Sequence, residues 1–285
     1  MQFSILVIAH RRAGHLQRLL DGVQRSSMKP QEVVIVYMDD PVPAPVESSL
    51  TVKTIHLRSL PGERGLPLAR ARNTAARNAR TENLVFLDID CIPSKECFAG
   101  MLRTLASQRA LVMAEPRYLR SALPAGAPPE DSKLSELSES HHARSGLPRN
   151  VPCQLHEMFW SLAFAIKSGD FSVLEGFSEE YEGYGAEDTD FAFKARESNL
   201  PVVFIRETVF HQHHGVFKPP LNHFSQIVEN AQRFRHRWGT WPMEGWLAAF
   251  ASMDLVAWDR AAADLEVLRE PTSLQIERAR SDDAY

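Results

Sequence analysis

The sequence lacks features that would assign it to a zinc-binding, disulfide-rich or membrane class. Its 285 residues include only three cysteines, Cys91, Cys97 and Cys153, and these form no paired C-x-x-C zinc pattern. So few cysteines, odd in number, are typical of a reducing compartment. The apolar runs, such as residues 159–166, are far shorter than the roughly 18 residues that span a bilayer.

The sequence also has no large excess of positive or negative residues and no predicted leader sequence. The 32 Lys and Arg residues against 36 Asp and Glu residues give a net charge of −4, which argues against nucleic acid as the main partner. Residues 1–9 run into an apolar stretch without the basic region and cleavage site of a signal peptide. We therefore expect a soluble, cytoplasmic protein with no membrane span.

Strand patterns dominate the first third of the chain. Continuous apolar runs at residues 3–9, 32–38 and 83–88 are typical of strands covered on both faces, and residues 52–57 favour another strand. A Pro-rich loop is expected after the second run. Helical patterns separate these strands, so the order β-α-β predicts an α/β fold with a doubly wound, mostly parallel sheet.

Two helices are predicted within this sheet. Leucines and a valine recur at i, i+3, i+4 and i+7 from Leu16 to Val23, and residues 66–80 favour a helix with Pro67 as its first residue. The second helix carries Arg70, Arg72, Arg77 and Arg80. These arginines form either an exposed cationic face or contacts to a diphosphate or base, for which a guanidinium fork suits paired oxygens.

The second half is less regular. Residues 121–150 are rich in Pro, Ser, Gly, Glu and His without apolar periodicity, which predicts a long loop or mobile insertion. Apolar patterning resumes at residues 151–166, 191–195 and 202–210. From Asn222 onward the pattern is helical and includes four tryptophans, which we expect to be buried in a helical cap: Trp238, Trp241, Trp246 and Trp258.

Two carboxylates, Asp88 and Asp90, flank one residue where the buried strand at 83–88 ends. Open α/β sheets bind ligands beyond the carboxyl ends of their strands. Carboxylate oxygens are the ligands that Mn²⁺ and Mg²⁺ prefer. The D-x-D pattern therefore indicates either a metal site shared with a diphosphate or a solvated strand end.

A second acidic group follows a glycine-rich stretch. Gly183 and Gly185 permit a tight backbone path just before Glu187 and Asp188. Acids in the first turn of a helix are favoured by the helix dipole, so a charged helix start is one interpretation. Two aromatic residues and two glycines crowded against three acids favour the other, a binding loop with a carboxylate acting as general base.

Three histidines, His211, His213 and His214, end the apolar run at residues 202–210. If the strand continues, His211 and His213 share a face, whereas a turn would bring His211 and His214 together. Imidazole is a common ligand for first-row metals. An exposed histidine cluster without a metal is the alternative.

The order of these motifs resembles family 2 glycosyltransferases of the GT-A fold, and the second half is similar to the galactosyltransferase-type region of β-1,4-galactosyltransferases and polypeptide N-acetylgalactosaminyltransferases. The resemblance covers residues 3–216 and includes A-R-A-R-N at 69–73 and F-L-D-I-D-C at 86–91. It implies an inverting hexosyltransferase that uses a nucleotide-diphosphate sugar, with UDP as the expected nucleotide, and Mn²⁺ or Mg²⁺. The implied acceptor is a hydroxyl of a saccharide, glycoside or lipid-linked sugar.

The resemblance also implies roles for single residues. Asp90 is the expected direct metal ligand, with Asp88 on the ribose or metal, and His214 and then His211 complete the shell, with His213 as the rival. Asp188 matches the catalytic base; Glu187 beside it could be the nucleophile of a retaining enzyme, so the spacing leaves the stereochemistry open. The expected donor contacts are Ala9, Asp39, Asp40, Arg70, Arg72, Asp88 and Trp160.

The sequence departs from the family pattern at residues expected to contact the acceptor and the nucleobase of the donor. Ala186 and Thr189 stand where the related motif has Gly and an acceptor-binding Asp, and Ala9-His10-Arg11-Arg12 replaces I-P-x-Y-N.

We expect one catalytic unit made of a nucleotide-sugar lobe (1–116), a mobile loop or insertion (117–150), an acceptor lobe (151–220) and a helical C-terminal extension (221–285). A nucleotide-sugar- or glycan-binding protein without turnover and a metal-dependent phosphohydrolase or nucleotidyltransferase are the competing hypotheses.

Overall fold

Four parallel strands form the first part of the central sheet in a computed structural model that describes residues 1–40 and 48–284. They are β1 (Phe3–Ala9), β2 (Glu32–Met38), β3 (Val52–Leu57) and β4 (Asn83–Asp88), in the order β3-β2-β1-β4. Every residue of β1 and β2 is buried, as expected for runs covered on both faces. The Pro-rich loop predicted after β2 lies outside the described residues.

The sheet continues as β4-β9-β6-β10-β5, with two short strands at its margins. Strand β9 is antiparallel to both neighbours, and β5 is antiparallel to β10, so the sheet is mixed but mostly parallel, as predicted. The remaining strands of this sheet are β5 (Cys91–Pro93), β6 (Leu111–Leu119), β7 (Ser138–Ser140), β8 (Pro152–Cys153), β9 (Ala163–Lys167) and β10 (Val202–His211).

Helices cover both faces of the sheet. One apolar cluster packs the first and third helices on one face, and a second packs the second and sixth on the other. The helices are α1 (Ala13–Arg25), α2 (Leu68–Arg77), α3 (Cys97–Ser107), α4 (Asp131–Glu136), α5 (Ser168–Val173), α6 (Glu187–Glu197), α7 (Phe224–Trp238), α8 (Glu244–Ser252) and α9 (Ser273–Arg278). Helix α2 begins one residue after Pro67, which precedes the helix instead of opening it.

Stacked phenylalanines support α6 from below. The rings of Phe177 and Phe191 lie 4.3 Å apart at an interplanar angle of 12°, and those of Phe86 and Phe164 lie 4.5 Å apart at 5°. Offset stacking of this kind adds to the free energy gained by burial alone. The first turn of α6, which carries Glu187 and Asp188, therefore stands on a rigid aromatic layer.

The segment at 121–150 is more regular than the sequence predicts. It contains α4 and β7, and β7 pairs with β6 through Tyr118 and Glu139. Leu134 and Arg144 are buried, and the Arg144 guanidinium bonds to Glu115 at 3.3 Å. These anchors are single residues without periodic spacing, so the prediction of a long loop or mobile insertion did not include α4 and β7.

The C-terminal extension is helical, as predicted. Helices α7, α8 and α9 surround a separate apolar cluster that includes the buried Trp241, while Trp238, Trp246 and Trp258 are half-buried. Two small sheets complete it: β11 (Val216–Phe217) with β14 (Arg280–Ser281), and β12 (Val256–Ala257) with β13 (Glu266–Val267). No helix in the described parts of the chain is long and apolar enough to cross a membrane.

The phenylalanine layer gives a stability prediction. Phe164→Ala should lower the free energy of unfolding by about 3–5 kcal/mol, because the ring is fully buried and its removal leaves a cavity. Phe164→Leu should cost less. Urea denaturation followed by tryptophan fluorescence measures both, and a loss below about 1 kcal/mol for the alanine variant would show that the layer repacks.

Candidate active site

The pairing of β5 with β10 brings the D-x-D motif and the histidine cluster together. Cys91, the residue after Asp90, pairs with His211, and the Gln212 backbone N–H donates to the Asp90 carbonyl at 2.7 Å. Asp88 is the last residue of β4. Residues that are distant in the sequence thus meet at the carboxyl edge of the sheet, where the strand order predicts a ligand site.

Asp90, His211 and His214 form a cluster whose candidate ligand atoms all lie within 4.8 Å of one another. The Nε2 atom of His214 lies 3.5 Å from Asp90 Oδ2. Since β10 ends at His211 and the chain then turns, His213 points away, and its Nε2 lies 2.7 Å from the Asp282 carbonyl. Of the two arrangements left open by the sequence, the turn is the one that occurs.

The donor set of this cluster fits a divalent metal ion. Asp90 Oδ1 and His211 Nδ1 are buried atoms without a hydrogen-bond partner among the described residues, and such atoms are costly unless a ligand satisfies them. Burial lowers the pKa of His211 to about 4, so its imidazole is neutral at pH 7 and keeps a lone pair for coordination. One carboxylate with two imidazoles suits Mn²⁺ and other first-row ions.

Two further basic residues contact Asp90 and were missed in the sequence. The Arg12 guanidinium forms an ion pair with the Asp90 carboxylate, and His15 Nε2 lies 3.9 Å from Asp90 Oδ1. Both follow β1, whose carboxyl end lies at the same edge of the sheet as that of β4. The rule that ligand-binding residues follow strand ends could have identified them.

A buried arginine joins the two acidic motifs. Arg72 of α2, whose side chain is 5% exposed, lies 3.2 Å from Asp88 Oδ1 and 3.2 Å from Glu187 Oε1. Its guanidinium also lies 5.2 Å from the centre of the Phe177 ring. The sequence predicts Arg72 as a donor contact, whereas the structure buries its guanidinium between two carboxylates. Glu187 is likewise tied into this ion pair.

Asp188 lies beside this ion pair, in the first turn of α6. Its Oδ1 accepts hydrogen bonds from the Thr189 N–H at 2.7 Å and from the Thr189 hydroxyl at 3.3 Å. Burial and then the neighbouring Glu187 charge raise the pKa of Asp188 to about 7, against the opposing effect of Arg72. A carboxyl group with this pKa can accept a proton near neutral pH.

Several predicted donor residues lie at the edge formed by β1 and β2. Ala9 is the last residue of β1 and is buried, while Asp39 accepts hydrogen bonds from Ser59 and Asp40 accepts one from the Arg11 N–H. These bonds from Ser59 hold the pKa of Asp39 below its ordinary value.

The remaining two predicted donor residues are Arg70 and Trp160. Arg70 lies near this edge, since its Nη2 donates to the Arg58 carbonyl at 3.0 Å and its charge contributes to the lowered pKa of Asp39. Arg70 is held by Glu63 at 2.6 Å. The Trp160 ring packs edge-on against His141, 4.9 Å away, and under the Arg144 guanidinium. The Tyr118 ring contacts both His141 and His211, so it links these aromatic side chains to His211. Trp160 is thus connected to the cluster of Asp90, His211 and His214 through a chain of aromatic rings.

One groove of the described residues lies away from these acids. It has a volume of about 1270 Å³ and is lined by residues of α2, α5, α6 and α7 and of the loop at 175–180, without Asp90, His211, His214, Glu187 or Asp188. We place the candidate site at the acids and histidines, because burial, charge and strand ends converge there.

Two models of known protein families match this chain. A family model described as "Glycosyl transferase family 2" matches residues 4–161, and one described as "N-terminal domain of galactosyltransferase" matches residues 150–215. Two curated proteins called "Validoxylamine A glucosyltransferase", from two subspecies of Streptomyces hygroscopicus, are 24% identical over 230 residues. The alignments cover 72% of this chain and 50% and 54% of those proteins, so the chain spans about half the length of these curated relatives.

Solved structures share the fold. TarS 1-349 of S. aureus is 16% identical, with a TM-score of 0.52 over 82% of this chain and 66% of that chain. GalNAc-T7, solved with UDP, GalNAc and Mn²⁺, is also 16% identical, with a TM-score of 0.52 over 74% of this chain and 43% of its own. At such identity the likeness shows the GT-A fold.

The ion pairs of Arg72 give a second stability prediction. Arg72→Met should lower the free energy of unfolding at pH 7 by about 3–5 kcal/mol, because Asp88 and Glu187 are left without their cation. Loss of the cation removes the charge that opposes the raised pKa values of Asp88 and Asp188, so these groups take up protons at higher pH. The difference from wild type should therefore shrink as the pH falls towards 5.

Urea denaturation at both pH values tests this expectation. Arg103→Met is the matched control, because Arg103 is 68% exposed in its ion pair with Glu207 and its loss should cost less than about 1 kcal/mol. Equal losses for the two variants would contradict a special role for Arg72.

Proposed function

The chain belongs to glycosyl transferase family 2, and from this premise we propose that it transfers a sugar, with inversion, from a UDP-sugar to an acceptor hydroxyl. The observation that carries the proposal is the convergence of Asp90, His211 and His214 with a half-buried Asp188 of raised pKa at one edge of the sheet. The relatives called glucosyltransferases and the neighbours solved with UDP, UDP-GlcNAc or Mn²⁺ support it.

The proposed base is Asp188. An acceptor hydroxyl attacks the anomeric carbon and transfers its proton to the Asp188 carboxylate, while the bond from that carbon to the diphosphate breaks. A single attack of this kind inverts the anomeric centre. The pairing of Glu187 with Arg72 favours this reaction over double displacement, because a nucleophile in a buried ion pair is already engaged.

The proposed metal ligands are Asp90, His214 and His211, which would hold Mn²⁺ or Mg²⁺. When bound, such an ion stabilises the charge that develops on the leaving diphosphate. Ala9, Asp39, Asp40, Arg70 and Trp160 remain the proposed donor contacts, and Asp88 is proposed to orient the ribose while Arg72 fixes its carboxylate.

The proposed organisation is one catalytic unit. The nucleotide-sugar lobe (1–116) supplies Asp90, and the acceptor lobe (151–220) supplies Asp188 and the histidines. The segment at 117–150 lies beside the acceptor lobe through Arg144, whose Nη1 donates to the Met158 carbonyl at 3.2 Å. A saccharide, glycoside or lipid-linked sugar is the proposed acceptor.

Replacing the base should separate binding from turnover. Asp188→Asn should keep UDP binding, measured by calorimetry with Mn²⁺, and should reduce UDP release from a UDP-sugar by about 10²–10⁴-fold, because the amide cannot accept the proton. Asp170→Asn is the matched control, since Asp170 is buried but pairs with Arg109 away from the site.

Full turnover by Asp188→Asn would remove Asp188 from the role of base. The product decides between reaction classes, because a phosphohydrolase or nucleotidyltransferase would release UMP rather than UDP. Neither product from any UDP-sugar, together with measurable UDP binding, would instead favour a binding protein.

The histidines allow a test of the metal site. His211→Ala and His214→Ala should each weaken Mn²⁺ binding by at least about tenfold, because each removes a candidate ligand. His213→Ala is the control, since that side chain contacts the Asp282 carbonyl instead. Titration of Mn²⁺ followed by electron paramagnetic resonance gives the dissociation constants, and equal values for all three variants would refute the assignment.

A further inference from the structure

Helix α7 presents a polar face to the loop that precedes the proposed base. We call residues 181–186 the catalytic loop. Gln226, Asn230, Arg233 and Arg237 recur at i, i+4, i+7 and i+11 and therefore share one side of α7. The buried apolar residues of the helix, such as Ile227 and Ala231, pack into the C-terminal cluster instead. The extension thus joins its own core to the catalytic loop.

Asn230 holds the backbone of the catalytic loop. It is 1% exposed, and its Nδ2 donates to the carbonyls of Glu182 and Gly185 at 3.0 Å and lies 3.4 Å from that of Tyr184. Its Oδ1 accepts from Arg233 Nη1 at 2.9 Å. One side-chain amide therefore satisfies carbonyls that the sharp turn leaves without partners in a ladder or helix.

Gln226, one helical turn before Asn230, binds a backbone N–H of the same loop, whereas Asn230 binds its carbonyls. Its Oε1 accepts the Tyr184 N–H at 2.9 Å and lies 3.2 Å from His223 Nδ1. A Cβ on Gly183 would lie 2.4 Å from this Oε1, so the close approach requires glycine at that position. The Tyr184 ring is stacked between those of His223, 4.6 Å away, and Trp246, 5.8 Å away.

The chain that follows the proposed base also contacts α7, through Asp190. Asp190 is fully buried, and its Oδ1 accepts from Trp238 Nε1 at 2.8 Å and from the Tyr181 hydroxyl at 3.1 Å. Asp188 lies between this anchor and the catalytic loop. The chain on both sides of Asp188 is thereby held by contacts to α7.

We propose that Asn230 and Gln226 are positioning residues for sugar transfer, which set the place of Tyr184 and Asp188 by clamping the catalytic loop. This inference rests on the proposed function. Neither residue touches the acids, so each acts through the loop. A displacement of about 1 Å at a reacting group can cost about a hundredfold in rate, so a loosened loop should lower kcat. Donor binding at the ends of β1, β2 and β4 should be preserved.

The first experiment compares two buried asparagines. UDP release from UDP-glucose and UDP-N-acetylglucosamine, with Mn²⁺ and water as acceptor, gives kcat and KM. Asn230→Ala should lower kcat about 10–100-fold while KM for the donor stays within about twofold. Asn83→Ala is the control, because Asn83 is equally buried but donates to the Gln2 carbonyl at the opposite end of β4.

The second experiment tests the hydrogen bond itself. Gln226→Glu keeps an oxygen that can accept the Tyr184 N–H, whereas Gln226→Leu removes it at similar size. The glutamate variant should retain most of the activity, and the leucine variant should lose it. Hydrogen exchange at the Tyr184 amide should be faster than in the wild type for Gln226→Leu but not for Gln226→Glu.

The outcomes separate this proposal from the proposed function. Equal kcat losses for Asn230→Ala and Asn83→Ala, or unchanged exchange at Tyr184 in Gln226→Leu, would overturn the positioning role. Hydrogen exchange needs no turnover. A wild-type protein that released no UDP from any UDP-sugar would therefore overturn the proposed function, while faster Tyr184 exchange would still support the clamp.

Discussion

The burial of the Arg72 guanidinium between Asp88 and Glu187 is the constraint on which the site depends. A cation taken out of water must find partners, and here the partners belong to β4 and α6, two elements from different motifs. Burial raises the pKa of Asp88, and the Arg72 charge opposes that shift. The arginine therefore fixes the distance between the D-x-D motif and the helix of Asp188.

The surrounding fold keeps this ion pair in place from two sides. The phenylalanine layer lies beneath α6, and Phe177 of that layer also contacts the guanidinium through its ring face. On the other side, α7 holds the catalytic loop through side-chain amides. Apolar packing fixes the position of α6, whereas directional hydrogen bonds orient the catalytic loop.

The sequence predicts the sheet and much of the site because those signals are local. Buried parallel strands appear as continuous apolar runs, and Asp88, Asp90, Glu187 and Asp188 stand at element ends. The same reasoning misplaces Arg72, since its direction depends on partners in β4 and α6 that are remote in the sequence. It also misses α4 and β7, whose burial rests on isolated side chains. The polar face of α7 is missed as well, because its proposed role depends on contacts to a loop that is remote in the sequence.

The antiparallel pairing of Cys91 with His211 links cation binding to the assembly of the sheet. Asp90 comes from the first half of the chain and His211 from the last strand added to the main sheet, so neither half contains the cluster by itself. A cation that binds all three side chains selects molecules in which β10 is docked, and its binding free energy adds to the stability of that pairing. Binding of a cation to these three side chains and docking of β10 would therefore be thermodynamically linked.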